Sequence, residues 1–237
     1  MNNNWKRLLK ADSTDWLLEP QDPSMRYFTL ANLLNFSSSD PEVQKTKQQI
    51  MQYGPVPKIL AKQKPEGNWG KPEDFYIRSK YKGTIWTLII LAELAADPRD
   101  NRVRKACEFI LQNSQDPESG GFSYQSAKQG GGDHNKVLPC LTGNMVFSLI
   151  RLGYLSDPRV QHGINWITTY QRFDDAIKEA PKGWPYDGKE RCYGKHTCHM
   201  GTVKALKALA EIPSNLRSDT VKATIEKGTI YLLAHHI

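Results

Sequence analysis

Two kinds of apolar segment alternate along the chain. Residues 83–95, "GTIWTLIILAELA", are apolar around most of the circumference of a helix, as in a helix buried on nearly every side. Residues 100–113, "DNRVRKACEFILQN", instead place Val103, Ala106, Cys107, Ile110 and Leu111 at i, i+3, i+4, i+7 and i+8, the single stripe of a surface helix. The first kind recurs as "RYFTLANLL", "GNMVFSLIRLGYL" and "GTVKALKALAEI". After each comes an aspartate mark, in "SSSDPEV", "AADPRDNRV", "LSDPRV" and "LRSDTV", so that Asp40, Asp97, Asp157 and Asp219 follow one another at intervals of 57, 60 and 62 residues. An aspartate ahead of proline or of a first turn supplies an N-cap and a preset first helical residue. Each unit therefore reads as inner helix, tight turn, outer helix.

Between units lie "QKPEGNWG", "QDPESGGFSY" and "QRFDDAIKEAPKGWPYD". Each opens on a glutamine (Gln63, Gln115, Gln171) and closes on glycine with an aromatic (Trp69, Phe122, Trp184). No strand–helix alternation and no glycine-rich phosphate loop breaks the series. The fold class that follows is all-α, helical hairpins in series whose inner helices face a common centre.

The Gln…Gly-x-Trp closure resembles the repeat of squalene and terpenoid cyclases and of protein prenyltransferase β subunits, from about Met25 onward. The resemblance implies an α/α toroid and a single domain over residues 1–237. Those families close a ring of about six hairpins around an apolar cavity; four are counted here. The last ends at "YLLAHHI" without its closing segment, so the chain reads either as a fragment, truncated at its C-terminus, or as an open arc covered by a partner. The Asp-x-Asp-Asp motif of squalene-type cyclases is missing. "RFDD" keeps only Asp174 and Asp175, read as a solvated pair or turn, which weighs against cyclisation started by protonation.

Composition narrows this little. Hydrophobic residues at 39% and charged residues at 24% are ordinary for a globular chain. The net charge of +7 comes from scattered lysines and arginines with no long run, a solvated basic surface rather than a nucleic-acid footprint. The most apolar run is too short to span a bilayer and contains Glu93, and the first residues lack the apolar core of a signal peptide. Four cysteines do not make a secreted disulfide framework, so the expected location is the cytoplasm, with thiols free to bind metal.

The densest chemistry is "RCYGKHTCHMG", residues 191–201. "CLTGNMVFSL" and "CHMGTVKALK" align, which puts Cys140 and Cys198 at equivalent starts of successive inner helices, where the preceding unit has Lys80. Helix N-termini favour the thiolate form. His199 follows Cys198; Cys192 and His196 precede it. Zinc takes sulfur and nitrogen in a tetrahedron, closed with four protein ligands and open with three. The Cys140…Cys198-His199 arrangement is similar to the zinc site of lanthionine cyclases, with Met200 interrupting the Cys-His-Gly pattern. Prenyltransferases hold zinc through Asp, Cys and His, and Asp133 is the carboxylate considered for that part. In both families zinc activates a substrate thiol. Cys107, on an apolar stripe, reads as core. His134, His162, His235 and His236 read as surface or capping residues.

Two functions stay open. In one, Phe28, Trp86 and Phe147 line a cavity for an isoprenoid or a thiol-bearing molecule or peptide. An open zinc at Cys140, Cys198 and His199 then does the chemistry, with His196 as a general acid and "KQGGGDHN" either a flap or a plain surface loop. In the other, Cys192 or His196 completes a closed zinc that clamps the third and fourth hairpins. The chain is then a non-catalytic scaffold for a protein partner or a second copy on the open side of the arc.

Overall fold

A computed structural model describes residues 10–76, 80–175, 181–194 and 196–236. The helices are α1 (Thr14–Leu17), α2 (Pro23–Phe28), α3 (Pro41–Ile50), α4 (Pro55–Leu60), α5 (Thr84–Glu93), α6 (Asn101–Asn113), α7 (Pro139–Leu149), α8 (Pro158–Tyr170), α9 (Glu190–Tyr193), α10 (His199–Ala210) and α11 (Asp219–Ala234). Among the described residues there is no β-sheet, only isolated bridges such as Gln115 with Phe122. The protein is all-α. No helix among these residues is long and apolar enough to cross a membrane.

Four hairpins pair helices that follow one another, α2 on α3, α5 on α6, α7 on α8 and α10 on α11, but the most extensive packing is between α7 and α10. The apolar helices α5, α7 and α10 lie side by side, α7 touching both of the others. Burial follows the two sequence patterns. In α7 all but Cys140 and Asn144 are buried, whereas α6 buries its stripe and exposes Arg102, Arg104 and Lys105. Cys107 sits in that stripe with no exposure, as the periodicity requires.

The aspartate marks cap helices at only two of four places in the way the dipeptide suggests. Asp40 and Asp157 cap α3 and α8 ahead of Pro41 and Pro158. Asp97 instead opens a turn, and Asp100 caps α6; at α11 the cap is Ser218 and Asp219 is the first helical residue. The caps at Asp100 and Asp157 share a device. The carboxylate accepts the backbone N–H of the residue two further on, and that residue's guanidinium returns to the same carboxylate.

Arg159 goes further and reaches Glu108 of α6 at 2.9 and 3.0 Å, joining neighbouring outer helices. Hydrogen bonding to Arg159 holds both Asp157 and Glu108 below the usual carboxylate range, against the opposing effect of burial. A carboxylate with a depressed pKa stabilises the fold above its unfolded pKa, and that stabilisation disappears as pH falls through the folded value. Arg159→Ala should therefore cost about 1 kcal/mol at neutral pH, small because these side chains are partly solvated. The gap between variant and wild type should close below about pH 4 in urea titrations. A gap independent of pH would show that Arg159 acts through packing alone.

The glutamines of the connections have a definite job. Gln63 Nε2 donates to Gly67 O at 3.0 Å and to Arg102 O at 2.7 Å; Gln115 Nε2 donates to Gly120 O at 2.9 Å and to Arg159 O at 2.7 Å. Each thus ties its own glycine turn to the first turn of the next outer helix. The aromatics finish the closure: Trp69 donates to Ile59 O at 2.9 Å, and Phe122 is fully buried. The third connection differs. Gln171 bonds Arg172 O, and residues 176–180 lie outside the described part.

The segment "KQGGGDHN" is tied to the end of α6 and the connection after it. Gly131 and Gly132 donate to Gln112 O and Gln115 O, and a Cβ on Gly132 would lie 2.2 Å from Ser114 O.

Candidate functional site

The thiols gather at the end of the hairpins where the inner helices begin. Cys140 is the second residue of α7, Cys192 lies in the short α9, and Cys198 is the N-cap of α10. The Cys198 N–H donates to Cys192 O at 3.2 Å, which closes the loop between them. Arg172 holds this loop from beneath. It is 8% exposed, donates to Tyr193 O at 2.8 Å and Gly194 O at 3.3 Å, and pairs with Asp174. Thr197 is fixed by its hydroxyl on Asp174 O at 2.9 Å.

The electrostatics of the thiols differ from the sequence expectation. Burial pushes Cys140 up to about 11, and the Cys192 and Cys198 thiols push it the same way. Cys192 is raised by burial and then by Cys198, with Lys189 partly offsetting both. Backbone N–H groups at the start of α7 do favour the Cys140 thiolate, but desolvation and like-charge repulsion outweigh them. Cys192 and Cys198 act on Cys140, and Cys198 on Cys192, so the three thiols share one neighbourhood. Tyr76 joins it, its phenol raised to about 12 by burial and then by Cys140 and Cys192. Tyr193 is also raised by burial, and its hydroxyl finds no hydrogen-bond partner.

His199 opens α10 with its ring in a triangle with Tyr231, centroids 5.7 Å apart, and His235, 4.9 Å apart, the latter two lying 4.5 Å from each other. Its Nε2 is buried without a hydrogen-bond partner among the described residues. His196 is exposed and turns away from the thiols to the Asp175 carboxylate, with Nδ1 at 3.2 Å. As placed, the side chains do not close around a point: among the described residues no three His, Cys, Asp or Glu side chains stand as a group able to hold a metal ion.

The aromatics expected to line one cavity are split between two ends. Trp86 stacks on Tyr76 at 5.4 Å and 15°, donates to Tyr76 O at 3.0 Å and meets Tyr81, so it belongs with the thiols. Phe147 is 2% exposed beneath two cations, Lys207 at 4.0 Å and Arg151 at 5.1 Å from its ring centre. Phe28 lies under the other face of Arg151 at 5.0 Å.

Several residues set aside on sequence have definite partners. Asp175, read as half of a solvated pair, takes hydrogen bonds from Tyr231 Oη at 3.0 Å and His196, and His235 Nε2 lies 2.7 Å away. Burial opposes its ionisation, and those bonds overcome it, so its pKa falls. His235, read as a lone terminal residue, also places Nδ1 2.8 Å from Tyr231 O, and the net effect raises its pKa. His134 pairs with Asp116 at 2.8 Å and stacks on Trp184 at 4.3 Å. Asp133 is occupied as the cap of the turn His134–Lys136. The pairings of Asp175 with His196, Tyr231 and His235 and of His134 with Asp116 cross 18 to 60 residues of sequence, and no local pattern announces them.

No family model matches the chain, and no curated protein and no solved structure matches it.

Proposed function

We propose that the protein is a helical-hairpin scaffold of the α/α-toroid kind, stapled by a structural zinc ion on Cys140, Cys192, Cys198 and His199. The observation that carries this reading is the gathering of three thiols from three separate elements, α7, α9 and the start of α10. Burial first, and then the two neighbouring thiols, keep Cys140 protonated, and a divalent ion would offset both by stabilising the thiolates. Sulfur donors with one imidazole are the ligand set of closed zinc sites. The buried Nε2 of His199, at the start of α10, has no hydrogen-bond partner among the described residues. Zinc there supplies a cross-link between the third and fourth hairpins. The reading asks the four side chains to turn onto one point.

The scaffold reading is favoured over an isoprenoid-binding enzyme because Phe28, Trp86 and Phe147 share no apolar chamber, and two of them face cations. On α10, Met200 is 64% exposed and Val203 38%, bare apolar surface on an otherwise inward-facing helix. We assign this face to a protein partner or a second copy of the chain.

Metal content of protein purified under reducing conditions without chelator tests the clamp. Wild type should carry about one zinc per chain, and Cys140→Ser, Cys192→Ser, Cys198→Ser and His199→Ala should each lose zinc and thermal stability together. Zinc retained in Cys192→Ser and lost in Cys198→Ser would point instead to an open, catalytic ion. Reduced wild type without metal would remove the zinc reading altogether.

A further inference from the structure

At the opposite end of the inner helices from the thiols, a cavity of about 250 Å³ opens between the first and third hairpins, lined by Tyr27, Phe28, Asn32, Lys47, Arg151 and Glu211 among others. A π-helical turn and a kinked segment border it. Thr29–Leu33 is the π-helical turn; it continues α2 and carries Asn32, with the Leu34 N–H reaching Thr29 O at 2.8 Å. Ile150–Tyr154 follows α7, carries Arg151 and leaves helical geometry at Leu152 and at Gly153, whose φ is +87°. π-Helical turns interrupt regular helix bonding and recur at functional sites. Ala92 and Ala96 of the α5 end form a wall whose short side chains leave the space open. Ala95 beside them holds φ at +56°, a left-handed conformation that costs a residue with a Cβ. Three departures from regular helix thus fall on one small cavity.

Its charges are not balanced. Arg151 is committed: its Nε lies 3.0 Å from Glu211, a second nitrogen 3.7 Å from Glu93, and its plane is held between the Phe28 and Phe147 rings. Glu93 is shared with Lys207. The nearby Asp97 carboxylate is held by Arg99. Lys47 is different. Its ammonium lies 5.6 Å from the centre of the Tyr27 ring; among the described residues it makes no direct ion pair, and its charge acts on the nearby Asp97 carboxylate, which Arg99 already holds. The exposed Asn32 carboxamide makes no hydrogen bond among them. Beside these two polar groups stand two aromatic rings, Tyr27 and Phe28, meeting edge to face at 5.3 Å.

We propose that this cavity binds a small monoanion, a carboxylate carried on one compact aromatic ring. The carboxylate meets Lys47 and Asn32, and the ring packs against Tyr27 and Phe28 and fills the space the alanines leave. Glu211 disfavours a second negative charge, and the small volume excludes a long chain. This site is independent of the zinc clamp and stands or falls without it.

Titration of the full chain with benzoate, benzamide and benzylamine, followed by amide NMR shifts, tests it. Benzoate should give saturable shifts centred on Thr29–Leu33, Ile150–Tyr154 and Lys47, with neutral benzamide and cationic benzylamine weaker by about tenfold or more. Lys47→Gln and Asn32→Ala should each weaken benzoate, Lys47→Gln by about tenfold, at unchanged thermal stability. Absence of saturable benzoate shifts, an equal response to all three probes, preference for benzylamine, or undiminished affinity in a folded Lys47→Gln variant would each overturn the proposal.

Discussion

Replacing Arg172 with alanine is expected to release the thiol loop and to destabilise the fold by about 2–3 kcal/mol. The side chain is 7% exposed, and its guanidinium holds the Tyr193 and Gly194 carbonyls on one side and Asp174 on the other. Removal leaves the Tyr193 carbonyl, on a residue 1% exposed, without its charged donor, and a buried acceptor left unpaired costs more than the bond contributed. The ion pair itself counts for less, because Asp174 is 55% exposed. Since Cys192 precedes Tyr193, and Thr197 and Cys198 hang on Asp174 and Cys192 through backbone bonds, the loop should loosen as a unit. Arg172→Lys keeps the charge but not the planar fork that serves both sides, so it should rescue only part of the loss. Two readings check this: the urea midpoint, and the rate at which an aromatic disulfide reagent labels Cys192 and Cys198. Lower stability with unchanged labelling would mean that Arg172 supports the core and not the loop.

Arg172 also marks where sequence reading stops. The hairpins were legible because burial imposes a period: an all-round apolar helix and a one-stripe helix differ in the letters themselves, and α5 and α6 fall where those letters place them. The glutamine and aromatic of each connection were visible as a recurrence. Their purpose was not, since the second carbonyl that Gln115 binds, on Arg159, lies 44 residues away. The three clustered cysteines were legible through the repeat, because equivalent helix starts are neighbours. The charge state was misjudged there: helix N-termini acting alone favour thiolates, but burial of Cys140 and the presence of two further thiols reverse the balance. Asp175, Tyr231 and His235 could not be found at all. A carboxylate in a connection, a tyrosine on a helix and a histidine at its end become one network only once α11 has folded back.

The same limit separates two glycines that look alike. Gly143 and Gly201 occupy equivalent places in "CLTG" and "CHMG", three residues after the aligned cysteines. Structurally they are opposites. A Cβ on Gly143 would stand 2.6 Å from the Lys204 carbonyl carbon, 2.7 Å from its oxygen and 2.8 Å from the Ala205 nitrogen. All three are backbone atoms of α10, which cannot step aside as a flexible side chain would. On Gly201 the nearest atoms are those of Pro139 at 3.4 and 3.5 Å and Gln171 Oε1 at 3.6 Å, ordinary contact. Gly143→Ala must therefore push α7 and α10 apart, at a cost of about 2 kcal/mol after allowing for alanine's better helix propensity. Gly201→Ala meets no such obstacle and should be neutral or stabilising by up to about 1 kcal/mol. Guanidinium unfolding of the two variants beside wild type separates the cases, and equal effects would show that α7 and α10 do not meet backbone to backbone. The thiols add a second reading. Cys140 precedes the contact by one turn on α7 and Cys198 by about two turns on α10, so a wedge at Gly143 widens the space between their sulfurs. If the zinc clamp exists, Gly143→Ala should weaken zinc as well as the fold, whereas Gly201→Ala should leave both intact.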